Sequence, residues 1–326
     1  MIHQAPSRRF LRTLAGAAVA VSMPFGPSMA QAVTALADLN RMDRANFIAA
    51  LSGTFERAPW VVEEVYAQRP FATVTALHEA MFAILRAAPQ DKLLAFFGKD
   101  VDVLRTGKDA HAPGIAAESK HEQGSVGLDS LNDADARRFE QMGLAYKEKF
   151  GYPFIIAVLR HTRESIMKEL ERRLPNDAPT EFANSLQEVF YISRWRLVDR
   201  VNGAGMPRVH GILSTHMLDA TTGVAAAGVA IELFEFTGDQ ARKISGSTTN
   251  TDGRNGAPLI EGRPLPIGRY ELRFAVGDYF RKKGAPTAEP AFLDIVALRF
   301  SIAEPEGNYH VPLICTPWSY STYRGT

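Results

Sequence analysis

Between about residues 35 and 201, apolar residues recur at helical spacing. Phe47, Leu51 and Phe55 stand at i, i+4 and i+8, as do Ile166, Leu170 and Leu174. Leu186, Val189, Phe190 and Leu197 make a further stripe. Stripes of this period give a helix one apolar face. Asp43 precedes the first stripe, where an N-cap belongs. Pro59, Pro70, Pro89, Gly107, Pro113-Gly114, Gly151 with Pro153, and Pro175-Asn176 punctuate the pattern. The expectation for residues 33–201 is an all-α helical bundle.

Residues 202–207, Asn-Gly-Ala-Gly-Met-Pro, read as a short linker. Beyond them the period falls to two. Tyr270, Leu272, Phe274 and Val276 alternate with Glu271, Arg273 and Ala275. Val296, Leu298, Phe300 and Ile302 alternate with Ala297, Arg299 and Ser301, and Val229, Ile231 and Leu233 open another such run. Several short strands separated by Gly, Pro and Asp turns predict an antiparallel β-sandwich over residues 208–326.

The length of 326 residues suits these two domains. With 37 basic and 36 acidic residues, the formal charge of +1 gives no reason to expect nucleic acid or an anionic membrane as partner. A single cysteine, Cys315, excludes an intramolecular disulfide, a CxxC redox pair and a cysteine-rich zinc site. In its apolar run it reads as a small buried hydrophobe. Residues 1–32 have the layout of a signal peptide. A basic Ser7-Arg8-Arg9-Phe10-Leu11-Arg12 segment precedes an apolar stretch from Leu14 to Val21, and small residues around Ala30 and Ala32 offer cleavage sites. The paired arginines followed by Phe-Leu are similar to a twin-arginine export signal and imply a periplasmic destination. A basic start to a general secretory signal is the alternative.

Four polar segments of the second domain stand out. They are Leu213-Ser214-Thr215-His216, Thr249-Asn250 with Asp252-Gly253-Arg254, Tyr309-His310-Val311-Pro312-Leu313, and the closing Tyr323-Arg324-Gly325-Thr326. Each has an ordinary structural explanation when taken singly. His216 can be a hydrogen-bonded structural histidine, Asp252-Gly253 a hairpin turn, His310 an exposed strand residue, and the tail a frayed end.

Together they resemble the 5-hydroxyisourate hydrolases, also called transthyretin-like proteins, from about Arg208 to Thr326. The tail is the most specific of the four, since it separates these hydrolases from the hormone carrier transthyretin. It usually ends in Ser, and Thr326 keeps the hydroxyl. The resemblance implies a transthyretin-like sandwich and a homotetramer. Its active site would comprise His216, Arg254, His310, Tyr323 and Thr326, in a channel between subunits, with no cofactor and a small purine-derived substrate. One neutral histidine would activate water as general base, and Arg254 would hold the flat anionic ligand and its developing oxyanion. The motifs leave open which histidine is the base. Two histidines without a suitably spaced cysteine or acidic third ligand make a poor zinc site.

The helical half resembles the decarboxylase of 2-oxo-4-hydroxy-4-carboxy-5-ureidoimidazoline (OHCU), the next enzyme of urate breakdown, over roughly Ala37 to Val201. The matching residues are Leu39-Asn40, Phe47, Ala58-Pro59-Trp60-Val61, Arg69-Pro70-Phe71, Leu77-His78, Glu118-Ser119, Glu122-Gln123, Gly127-Leu128, the run from Lys149 to Ile155, and Arg194 with Arg196. That family carries a catalytic histidine where this sequence places Asp100. The remaining functional positions of the second site would be Glu122, Gln123 and Arg196. An ionised Asp100 only accepts hydrogen bonds and repels the substrate's carboxylate, so a weak or inactive decarboxylase is expected. The competing readings are a bifunctional enzyme, a helical domain kept as an assembly scaffold, and a non-catalytic periplasmic binding module of transthyretin type.

Overall fold

The computed structural model describes residues 33–98 and 133–325. The export segment, the stretch holding Asp100, Glu122 and Gln123, and Thr326 lie outside the described residues.

The described residues open with a short strand, β1 (Thr34–Ala35), and five α-helices, α1 (Leu36–Leu39), α2 (Arg44–Leu51), α3 (Pro59–Val65), α4 (Val74–Ala87) and α5 (Gln90–Gly98). Three more helices follow after residue 132, α6 (Asp133–Phe150), α7 (Arg163–Arg173) and α8 (Ala178–Val198). Side-chain oxygens cap four of them. Asp43 accepts from the Asn46 amide at 2.9 Å, Thr73 from Ala76 at 3.0 Å, Thr162 from Ser165 at 3.3 Å and Asp177 from Thr180 at 2.9 Å. Each satisfies an amide that the first helical turn leaves unpaired.

Phe47 and Leu51 are fully buried on α2, but the helix stops there, before Phe55. Gly53 turns the backbone left-handed at φ +83°, and Phe55 reaches the core from the turn that follows. Val74, Leu77, Met81 and Leu85 fill the same core from α4, and Ile166 and Leu170 from α7. A buried ion pair lies among these apolar side chains. Arg173, at the end of α7, donates from Nη1 to the carbonyl of Ile155 at 2.9 Å and from Nε to Glu181 of α8 at 2.8 Å. Tyr146 donates to the same carboxylate at 2.5 Å.

Val201–Asn202 form β2, which pairs in parallel with β1. The carbonyls of Ala204 and Gly205 accept from the first amides of α4, Val74 at 2.9 Å and Thr75 at 3.1 Å. The glycine-rich segment is therefore hydrogen-bonded to the bundle it leaves. Among the described residues no helix is long and apolar enough to cross a membrane.

The second domain contains β3 (Ile212–Ser214), β4 (Met217–Asp219), β5 (Val224–Ala225), β6 (Ala230–Thr237), β7 (Gln240–Thr248), β8 (Gly268–Ala275), a helix α9 (Val276–Lys282), then β9 (Ile295–Ile302), β10 (Asn308–His310), β11 (Leu313–Cys315) and β12 (Tyr320–Thr322). One sheet is antiparallel, in the order β7-β6-β8-β9. Its alternation largely follows the sequence, with Ile231, Leu233, Tyr270, Leu272, Phe274, Val296, Leu298 and Ile302 buried; Phe300 is only half-buried, and Glu271, of the opposite set, is buried between Arg273 and Arg299. Val276 differs: it is buried, but as the first residue of α9 rather than the last of a strand. The opposite sheet runs β12-β11-β4-β5, with a flanking pair β10-β3. Here β11 pairs with β4, and β10 with β3, in parallel. These parallel pairs bring the start and the end of the domain side by side. Cys315 is buried in β11, where desolvation pushes its thiol up to about 12.

The two domains are joined by backbone as well as side chains. Thr162 and Ile267 bond through the Thr162 amide at 3.0 Å, and the Ile267 amide donates to the Arg160 carbonyl at 2.8 Å. A Cβ on Gly268 would lie 2.4 Å from Cγ2 of Thr162, so only glycine allows this approach. Glu164 accepts from Arg269 at 2.9 Å, and Trp195 packs on His210 with ring centroids 5.1 Å apart.

Candidate active site

The parallel pairing of β10 with β3 sets Ser214 opposite His310. The break between β3 and β4 then carries Thr215 and His216. Thr215 turns inward and is fully buried, its hydroxyl donating to the Val311 carbonyl at 2.5 Å and its amide to Asn255 Oδ1 at 2.8 Å. With Thr215 anchored, His216 points to the other side, half-buried, against His310. His216 Nδ1 and His310 Nε2 are 2.6 Å apart, and the rings stack with centroids 4.8 Å apart. His310 Nδ1 lies 2.9 Å from the Ser214 hydroxyl. A chain of polar atoms thus runs from Ser214 through His310 to His216.

Arg254 arrives by a tight turn. Asn250 Oδ1 accepts from the amides of Asp252 and Arg254, each at 3.0 Å. Gly253 sits at φ +70°, and a Cβ there would lie 2.4 Å from the Met217 carbonyl oxygen. Glycine is therefore required both by conformation and by space. The turn lays Arg254 against His216 as an isolated antiparallel bridge. The tail closes a third side, its Gly325 amide donating to the His310 carbonyl at 2.8 Å.

The result is a cleft lined by Ser214, His216, Arg254, His310, Tyr323 and Gly325. Both histidines are held below their ordinary value of 6.5, first by loss of solvent. For His216 the nearby Arg254 adds to this, and for His310 both His216 and Arg254 do. The dyad is therefore neutral at pH 7, able to accept a proton.

In the helical domain, Arg196 lies buried on α8 and donates to Glu56 at 3.2 Å. The two line a small pocket with Thr54, Phe96 and Ser193. Arg57 stands at its edge with φ +84°, a left-handed value unusual for a side-chain-bearing residue.

The OHCU decarboxylase family model matches residues 40–198, and the HIUase/Transthyretin family model matches residues 213–325. Over 117 residues the chain is 52% identical to the 5-hydroxyisourate hydrolase of Deinococcus radiodurans, a match spanning 36% of this chain and 98% of that protein. Over 165 residues it is 33% identical to the 2-oxo-4-hydroxy-4-carboxy-5-ureidoimidazoline decarboxylase of Haloferax volcanii, spanning 51% of this chain and 95% of that one. The chain belongs to both families. A crystal structure of an (S)-allantoin synthase, 31% identical, covers 90% of this chain and 100% of its own with a TM-score of 0.49.

In the hydrolase-family domain, four of the five residues expected at the site, His216, Arg254, His310 and Tyr323, line one cleft, and the fifth, Thr326, lies outside the described residues. In the decarboxylase-family domain only Arg196 of its four expected site residues is described. Ser214 is a polar cleft residue, with Asn308 and Arg324, that is not among the expected site residues. It lies within the Leu-Ser-Thr-His run, two residues before His216 and so on the same face of an extended chain, which is the signal that could have marked it.

Proposed function

We propose that the C-terminal domain hydrolyses 5-hydroxyisourate to OHCU, with His216 as general base. The observation that carries this reading is the Ser214–His310–His216 chain, which ends in the cleft beside Arg254. If Ser214 accepts from His310 Nδ1, then His310 Nε2 accepts from His216 Nδ1, and His216 Nε2 is left with a lone pair. That nitrogen has no protein partner among the described residues. It takes a proton from water as the water oxygen bonds to the ring carbonyl carbon. The carbon–nitrogen bond then breaks, and the proton passes to the departing nitrogen. Charge forms on the carbonyl oxygen during attack and on a carboxylate afterwards. Arg254 offers both a planar fork of donors. No side chain need become covalently attached.

The hydrolase relatives, about half identical over this domain, support an enzyme rather than a binding module. The reading includes a homotetramer. Ile212 and Tyr323 line the cleft yet are exposed, as are Tyr320 on the edge strand β12 and Trp318 just before it. Burying such apolar surface against other subunits would complete the cleft walls. It also includes export to the periplasm, on the strength of the paired Arg8-Arg9 and the apolar run after them.

The helical domain we read as a weak or silent decarboxylase, because Asp100 stands where the family uses a histidine. A bifunctional enzyme is the second reading, favoured by the buried Arg196 in its pocket. The test is to supply the mature chain with 5-hydroxyisourate made in situ by urate oxidase, following ultraviolet decay and product circular dichroism. Faster decay with racemic allantoin supports the first reading. Faster decay with one enantiomer supports the second. Unchanged decay sinks the hydrolase assignment.

A further inference from the structure

One carboxylate at the domain junction belongs by position to the hydrolase. Glu306 lies in the 303–307 loop between β9 and β10, four residues before His310. Its Oε1 accepts from Arg194 Nη2 of α8 at 3.1 Å and from Arg160 Nη1. All three side chains are largely buried, at 22%, 20% and 13% exposure for Glu306, Arg194 and Arg160. Arg160 is itself fixed, its guanidinium 3.8 Å from the centre of the Tyr191 ring. An ion pair with this little exposure holds its geometry better than a surface pair does.

The same loop holds the far wall of the cleft. Tyr309 OH accepts from the amides of Ala303 at 3.0 Å and Glu304 at 3.1 Å, so the ring is tied back to the loop. Arg324 of the tail lies over that ring, 4.6 Å from its centre, and its Nη2 is 3.6 Å from Glu304. Gly325, next in the chain, bonds to the His310 carbonyl. The Gly307 carbonyl accepts from Ile212 at the start of β3.

We infer that the helical domain is a working part of the hydrolase site: through Arg160 and Arg194 it fixes Glu306, and through the 303–307 loop it sets the position of the Tyr323–Gly325 tail. Glu306, Arg160 and Arg194 are positioning residues in this arrangement, none of them touching substrate. The inference rests on the hydrolase reading. It also gives the helical domain a role that does not depend on whether it decarboxylates.

The test uses the full mature chain with Glu306→Gln, which keeps the side chain's size but removes its charge. Glu164→Gln is the control. Glu164 also crosses the junction, accepting from Arg269 at 2.9 Å and from the Gly238 amide at 3.2 Å, but it meets the β6–β7 hairpin and β8 rather than the tail. Glu306→Gln is expected to raise KM for 5-hydroxyisourate about fivefold, because Gln keeps an acceptor oxygen and forfeits only the charge assistance of the pairing with Arg160 and Arg194, and to speed amide exchange at Gly325 by a similar factor. The acid limb of the pH profile, set by the dyad, should stay in place. Arg194→Lys, which retains the charge, should keep KM near wild type. Glu164→Gln should leave both KM and Gly325 exchange unchanged. Unchanged KM and exchange in Glu306→Gln would overturn the inference, and so would equal changes in Glu164→Gln. If the wild-type chain shows no hydrolase activity, the functional reading fails, and Gly325 exchange alone decides whether Glu306 holds the tail.

Discussion

Two buried histidines make the fold sensitive to mild acid. His78 in α4 is 1% exposed and bonds through Nε2 to Ser193 at 2.9 Å. His161 at the domain junction is 5% exposed and bonds through Nδ1 to Ser165 at 2.8 Å. Desolvation pushes each down from 6.5 to about 4. Arg194 adds to the fall at His78, while at His161 Glu169 opposes it and Arg160 and Arg173 assist it. In the unfolded chain both histidines titrate near 6.5, so between there and about 4 the unfolded state binds protons that the native state does not. Stability is full above 6.5 and is lost as the pH falls toward 4. Linkage gives a loss of about 2 kcal/mol per histidine between pH 7 and pH 5. The pair would take a large share of the margin of about 5–15 kcal/mol typical of a domain. Urea unfolding at the two pH values measures the loss. His161→Gln, which keeps a polar partner for Ser165 but cannot titrate, should roughly halve it. A wild-type midpoint that does not move between pH 7 and pH 5 would refute the account.

Other outcomes follow from the site and the core. His216→Gln should lower kcat/KM by about 10²–10⁴, the usual contribution of a general base. Ser214→Ala removes only an orienting hydrogen bond and should cost roughly two- to tenfold. Because both dyad histidines are depressed, the acid limb of kcat/KM should have its midpoint below 6.5, which a pH–rate profile in non-coordinating buffers would show. Arg173→Ala strands Glu181 in the core and should destabilise the helical domain by about 3–5 kcal/mol by thermal or urea unfolding.

The change of apolar period is enough by itself to separate the two architectures, because burial on one face imposes 3.6 on a helix and 2 on a strand. Local signals such as the Asp43 cap and the Asp252-Gly253 turn are legible for a related reason, since their hydrogen bonds close within a few residues. The chemistry is only half legible. His216 and His310 can each be picked out from the motif around them, but their pairing spans 94 residues and depends on the parallel register of β10 with β3. Arg173 reads as one more charge in a solvated Glu-Arg-Arg run, and only packing shows it to be interior. Glu306 reads as a surface carboxylate in an ordinary Glu-Pro-Glu-Gly turn, and its arginine partners lie more than a hundred residues away. Val276 continues an alternating run perfectly well, yet the chain turns there into a helix.

The parallel pairing of β3 and β4 with β10 and β11 also bears on how the protein is made. Strands that lie side by side in the same direction cannot be joined by a hairpin, and here 94 residues separate the two histidines. Ser214 and His216 leave the ribosome well before His310 and wait for it, and the wall of the cleft waits for the Tyr323–Gly325 segment. Contacts this distant along the chain form slowly. A nascent chain that has not yet reached His310 would fold its bundle and much of its antiparallel sheet while still lacking a complete cleft.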